Sequence, residues 1–280
     1  MTSEAPGRPG MLRRLVLANM ALSMRFDNLL AESWRVDGMQ TFVHSVVPQS
    51  LQPGAIVADL GSGKMPAIAR VDKVRLGLHV TGVDIDPVEL RRAPAGIYDE
   101  MVVADLTRWS GEATADVVIC SAVLEHVQDT EAAMAAIASA LRPGGRALIF
   151  CPCRNAAFAR INLLLGERLK VRLLDLLYGP GHGVGFPAYY NRCTPGKFAA
   201  MARAAGLRVN AVSPFYMSTY FMVFTPMHVV WRALQGLAVA IAGSEACESF
   251  VIVASKDGDV VGDNAECHGD GEASALLSNG

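Results

Sequence analysis

Short apolar runs, each followed by a helical stretch, recur through the first half of the chain. Ala55-Ile56-Val57-Ala58-Asp59-Leu60 leads into Gly61-Ser62-Gly63. Leu78–Asp84, Met101–Asp105, Asp116–Cys120 and Arg146–Cys151 repeat the design. Continuous rather than alternating apolar residues predict strands covered on both faces. Between them, helices are predicted over Ala67–Val74, Val88–Arg92 and Thr130–Leu141; Asp129 caps the last, and Arg142-Pro143-Gly144-Gly145 stops it. This alternation implies right-handed crossovers and a doubly wound parallel α/β sheet of the Rossmann-like kind. Asp59, Asp84 and Asp105 fall at or near the ends of three strands, on the carboxyl edge where open α/β sheets bind ligands. The glycines at 61 and 63 let the chain turn sharply and bring backbone N–H groups near a ligand.

The flanks read differently. Residues 1–10 are predicted to be disordered, and 11–50 to form an N-terminal helical cover with a second helix over Trp34–Val47. Arg13 and Arg14 ahead of an apolar run have the outline of a signal peptide. However, the cleavage pattern is poor and the helical pattern continues to Leu30, which favours an amphipathic helix covering the domain or lying on a membrane surface. After Cys153, a helical stretch over Arg154–Leu177 carries a basic bias, and Thr194-Pro195 opens a helix through Ala204. Leu207–Ser213 and Phe250–Ala254 are the last strands. Between these two strands lie Phe215, Tyr216, Tyr220, Phe221 and Phe224, then a helix to about Ala242 with Val230, Leu234, Leu237 and Ile241 on one face. Arg232 and Gln235 inside it, and Pro226 dividing it, argue against a membrane span. The preferred reading is a helical cap, a lid over an apolar pocket that dips toward a membrane surface, with plain core packing as the other.

Composition changes the picture in two places. Six acids and no Lys or Arg follow Lys256, so the formal net charge of −2 hides 25 basic against 21 acidic residues before that point. The excess is too mild for a nucleic-acid surface, and the acidic, Gly-rich tail 257–280 is predicted to be disordered. The six cysteines are scattered in apolar surroundings, which suits a reducing cytoplasm, either free in it or peripheral at the inner face of a membrane. Cys151 and Cys153 form a C-x-C pair with no second pair close by in sequence, so no metal site is expected.

The order and spacing of Asp59-Leu60-Gly61-Ser62-Gly63, Gly82-Val83-Asp84-Ile85-Asp86, Ala104-Asp105-Leu106, Ser121-Ala122-Val123-Leu124-Glu125-His126-Val127 and Leu141-Arg142-Pro143-Gly144-Gly145 resemble class I S-adenosylmethionine-dependent methyltransferases, in the branch that acts on small molecules or lipids. The resemblance covers residues 54–153 by motif and implies a seven-stranded sheet with the last strand antiparallel, with residues 154–256 as the substrate and cap region. It implies that Asp59 and the turn Gly61-Ser62-Gly63 hold the methionine end of the donor. Asp84 would accept from the ribose hydroxyls and Asp105 from the adenine amino group, with Ile85 and Leu106 on either side of the ring. Ser121 to Val127 would pass beside the reacting methyl. One departure is Lys64-Met65-Pro66, where the family carries a third small residue, and a tightened or reoriented first helix is expected there.

The candidates for proton transfer are His126, for which a structural or cofactor-positioning role weighs more, and His182, in the Gly-rich loop Tyr178–Pro187. For His182 the other reading is an exposed loop histidine. Tyr189, Tyr190 and Arg192 are further pocket candidates. The expected acceptor is a small-molecule, glycan or lipid-like compound, methylated at oxygen with nitrogen or carbon as alternatives, and membrane contact is expected through 11–25 and 215–242. A nicotinamide-dependent oxidoreductase is the rival enzyme, but Pro66 breaks its G-x-G-x-x-G and it leaves Asp105 and Ser121–Val127 unexplained. A non-catalytic cofactor-binding homologue is the rival outside catalysis.

Overall fold

A computed structural model describes residues 11–61, 63–164 and 186–258. The predicted disordered stretch 1–10, most of the acidic tail, Ser62 and the loop holding His182 lie outside the described residues. Seven strands form one sheet in the order β3-β2-β1-β4-β5-β7-β6. They are β1 (Ile56–Leu60), β2 (His79–Asp84), β3 (Glu100–Val103), β4 (Ala115–Ser121), β5 (Leu141–Pro152), β6 (Leu207–Phe215) and β7 (Ser249–Lys256). Only β7 is antiparallel to its neighbours, with Leu148 opposite Val253 on one side and Val212 opposite Ile252 on the other.

Period-two alternation sends the strand side chains into two cores. Val57, Val117, Ile119, Leu148 and Phe150 pack on one face with Phe42 and Val47. Ala58, Leu60, Val118, Cys120 and Ile149 pack on the other with Met134, Ile137 and Phe198. The N-terminal cover on the first face is a single helical stretch in three parts, α2 (Gly38–Thr41), a π turn (Phe42–Val46) and α3 (Val47–Ser50). The π turn precedes Pro48, which has no N–H to donate into the ladder. Gly38 sits so tightly on the sheet that a Cβ there would lie 2.6 Å from Ser249 Oγ.

The helices on the faces are α4 (Arg70–Leu76), α5 (Pro87–Arg91), α6 (Thr130–Ala140), α7 (Ala157–Leu164) and α8 (Pro195–Ala204). The helix predicted at Ala67 begins three residues later. Pro66 and the burial of Ala67 and Ile68 in the core hold that stretch out of helix, which is the form the expected distortion takes. The outermost pair is α1 (Met11–Asp27) and α9 (Thr225–Ala242), which pack on each other.

Candidate active site

β1 and β4 are neighbours, so the turn after β1 and the loop after β4 meet at the carboxyl edge. Gly61 has φ +73°, and a Cβ there would lie 2.4 Å from Val123 Cγ1. Its missing side chain is therefore occupied by Val123, whereas the sequence reading gave the space to a ligand. Ala122 makes this fit by taking φ +54°, a left-handed backbone that costs a residue with a Cβ about 1 kcal/mol. Gly63, at φ +49°, lies where a Cβ would crowd Glu89 at 3.1 Å and Asp84 Oδ2 at 3.3 Å.

A cavity of about 580 Å³ opens at this edge. It is lined by residues at or just past the ends of β1, β2 and β3 (Gly61, Asp84, Ile85, Ala104–Thr107), by residues after β4 (Ala122, Val123, His126–Asp129) and by Phe186, Pro187 and Tyr189. Asp84 is buried, and loss of solvent pushes its carboxyl above the ordinary carboxylate range, against hydrogen bonds from the N–H groups of Asp86, Gly63 and Ile85. The Asp86 N–H reaches Oδ1 at 2.8 Å. Asp105 is held the other way: the Thr107 N–H and Oγ1–H both donate to Oδ1, at 2.9 and 2.8 Å, and lower its pKa. One carboxylate is thus desolvated beside the cavity while the other is fixed as an anion, with Ile85 and Leu106 as apolar wall. This donor set fits a nucleoside, which offers hydroxyls, an amino group and a flat apolar ring.

Asp59 is fully buried beneath the turn and does not form part of the cavity wall. Tyr98 packs beside it, its ring where a Cβ on Gly82 would be 2.8 Å away and its hydroxyl 3.4 Å from Asp59 Oδ2. Tyr98 escaped the sequence reading; the glycine at 82, inside an apolar strand, was the signal that something packs closely there. Ser121 also stands off the cavity, its hydroxyl 3.7 Å from Met39 Sδ. Lys64, the oddity of the turn's exit, is tied to Glu89 of α5 at 3.0 Å.

His126 is on the wall. Its Nδ1 is 3.1 Å from the Pro187 carbonyl, an acceptor, so Nδ1–H donates and Nε2 is left as the basic nitrogen. The adjacent Glu125 is buried, with its pKa pushed up to about 7 by desolvation. Its carbonyl accepts from the Tyr189 and Tyr190 N–H groups at 2.7 and 2.9 Å, which pins the returning chain against the cavity. Of the three candidates in that return, only Tyr189 lines the cavity. Tyr190 turns into the core, and Arg192 pairs with Glu131 at the surface. Cys120, Cys151, Cys153, Cys193 and Cys247 are buried thiols; Cys151 Sγ lies 4.0 Å from Glu125 Oε2. Among the described residues, the aromatics of 215–224 and the helix after them do not line this cavity.

Residues 58–149 match the family described as "Methyltransferase domain". The chain is 32% identical over 205 residues to a ubiquinone biosynthesis O-methyltransferase of Xanthomonas euvesicatoria, covering 68% of this chain and 81% of that protein. It is 27% identical to the protein of that name from Aeromonas salmonicida, covering 68% and 82%. The fold is similar to the crystal structure of an S-adenosylmethionine dependent methyltransferase from Mesorhizobium loti, with a TM-score of 0.51 and 18% identity over 78% of this chain and all of the other.

Proposed function

The chain belongs to the class I S-adenosylmethionine-dependent methyltransferases, and we propose that it transfers the donor's methyl group to an oxygen of a small acceptor with an apolar body. The observation that carries this reading is a cavity lined by Asp84, Asp105, Ile85 and Leu106 together with Val123, His126, Phe186 and Tyr189. Oxygen is favoured because the relatives at about 30% identity are named O-methyltransferases. The aromatic and aliphatic side chains Val123, Phe186 and Tyr189 favour a lipid-like or aromatic acceptor over a glycan. The family match removes the nicotinamide alternative.

When bound, S-adenosylmethionine supplies a methyl group already activated by its sulfonium. The protein's share is alignment and exclusion of water. Asp84 holds the ribose hydroxyls and Asp105 the adenine amino group. Gly61, Ser62 and Gly63 hold the methionine end, with Asp59 acting through the turn it underlies. His126 Nε2 takes the proton of the acceptor hydroxyl, its ring fixed by the Pro187 carbonyl; His182, outside the described residues, is the second candidate. The chain works in a reducing compartment, peripheral to a membrane through 11–25 and 215–242.

Calorimetric titration tests the donor site: Asp84→Ala should weaken S-adenosylmethionine binding about 100-fold, the cost of losing two charge-assisted hydrogen bonds. Unchanged affinity would sink the assignment. Labelled methyl transfer to a panel of small and alkyl-substituted phenols tests the acceptor, and label appearing only on amines would overturn the oxygen reading. His126→Ala should lower kcat about 100-fold or more while sparing donor affinity. If His182→Ala alone does so, the base is His182.

A further inference from the structure

Helix α9 is inside out. Thr225, His228, Arg232 and Gln235, spaced along one face, are 0 to 7% exposed, while Met227, Val230, Leu234, Leu237 and Ile241 on the opposite face are 46 to 78% exposed. The buried face is matched by a polar stripe on α1, Asn19, Ser23 and Asp27, one helical turn apart. Thr225 Oγ1 donates to the Asn19 carbonyl at 2.9 Å and lies 3.2 Å from Ser23 Oγ. Asp27 Oδ1 lies 3.0 Å from His228 Nε2 and accepts from Arg232 Nε at 3.1 Å. Arg232 also donates to the carbonyls of Tyr216 and Trp34 at 2.7 and 2.9 Å. The inner face is thus committed to polar partners, and the pair cannot turn over to hide its apolar side without breaking them. On α1, Met11, Leu15, Leu22 and Met24 are exposed as well.

We propose that the outer face of α1 and α9 docks on an anionic phospholipid surface, with α9 lying along the bilayer. The charges decide for lipid. The acid of α1, Asp27, is turned inward, whereas Arg14 and Arg25 are exposed, and the single formal charge of α9 is the buried Arg232. A face that is apolar with a positive margin matches acyl chains below anionic headgroups. A second copy would meet it with the same arginines and no acids. Among the described residues no helix is long and apolar enough to cross a membrane, so contact is along the surface. The proposal deepens the peripheral reading above and does not depend on methyl transfer.

Flotation of the full chain with vesicles of phosphatidylcholine, with and without phosphatidylglycerol, tests it. Two arginines predict an about 30-fold preference for the anionic vesicles, lost in high salt. Leu234→Glu with Leu237→Glu should cut binding at least about tenfold, and Arg14→Glu with Arg25→Glu should abolish the anionic preference, both with donor affinity and melting temperature unchanged. Wild-type protein that stays unbound, or that floats equally with neutral vesicles, overturns the proposal. So does a dimer that the leucine variant converts to monomer without any flotation, which would assign the face to a second copy. Loss of donor binding in the wild type would strike the methyltransferase site and leave the docking result intact.

Discussion

The cavity at the carboxyl edge and the α1/α9 pair treat polar side chains in opposite ways. At the cavity, Asp84 is buried with its charge disfavoured, and backbone N–H groups of its own turn and of Gly63 in the turn after β1 donate to it. Between α1 and α9, Asp27 is half-buried, with the buried Arg232 and His228 already in place. In the first region buried polarity opens onto a cavity; in the second it holds the chain to itself and turns apolar surface outward. Burial of a charged group therefore does not by itself mark a ligand site, and the partners it already has tell the two cases apart.

Breaking the second region should have the largest effect on stability. Asp27→Ala breaks the ion pair to the buried Arg232 guanidinium and should cost about 3–5 kcal/mol in denaturant unfolding, with donor affinity unchanged in the folded fraction. A loss below about 1 kcal/mol would mean the network is solvated and the contrast false. Next comes the first region's own packing. Gly61→Ala forces a Cβ onto Val123 at a positive φ and should cost about 2–3 kcal/mol while also weakening donor binding, unlike the Asp27 variant. The smallest effect is on pH dependence. Glu125, with its pKa raised to about 7 by burial, contributes stability that is complete below its unfolded pKa and is lost as pH rises through 7. Glu125→Gln removes this, so its melting temperature should gain on wild type between pH 5 and pH 8, equivalent to about 1–3 kcal/mol. Glu248, raised to about 7 by burial beside Arg232, titrates in both proteins and cancels from the difference. A gap that does not change with pH would show Glu125 ionised throughout.

Much of the first region was legible in the sequence. An acid at a strand end is a local signal, and Asp84, Asp105 and the glycine turn each announce themselves within a few residues. What was hidden was non-local. Nothing near Gly61 reveals that Val123, in a loop after another strand, occupies its missing side chain. Tyr98 over Gly82 and Met39 over Ser121 are likewise contacts between elements. The α9 stripe shows the limit most clearly. Helical spacing placed Val230, Leu234, Leu237 and Ile241 on one face, but periodicity says only that a face is apolar, not which way it points. The missing half was on α1, where Asn19, Ser23 and Asp27 repeat at the same spacing as a partner stripe. Read singly, each helix puts its apolar face inside; read as a pair, the polar faces win because ionic and hydrogen-bonded partners are more specific than apolar ones.

The clasp between the two helices also sets an order of events during synthesis. Asp27 and Asn19 meet partners 201 to 206 residues further along the chain. At translation rates of about 5–20 residues per second, that separation is a wait on the order of 10–40 s. For that interval α1 has left the ribosome while its partner in the chain does not yet exist, and its arginines and leucines face whatever surface is nearby. Among the described helices, α1 is made early and fastened late.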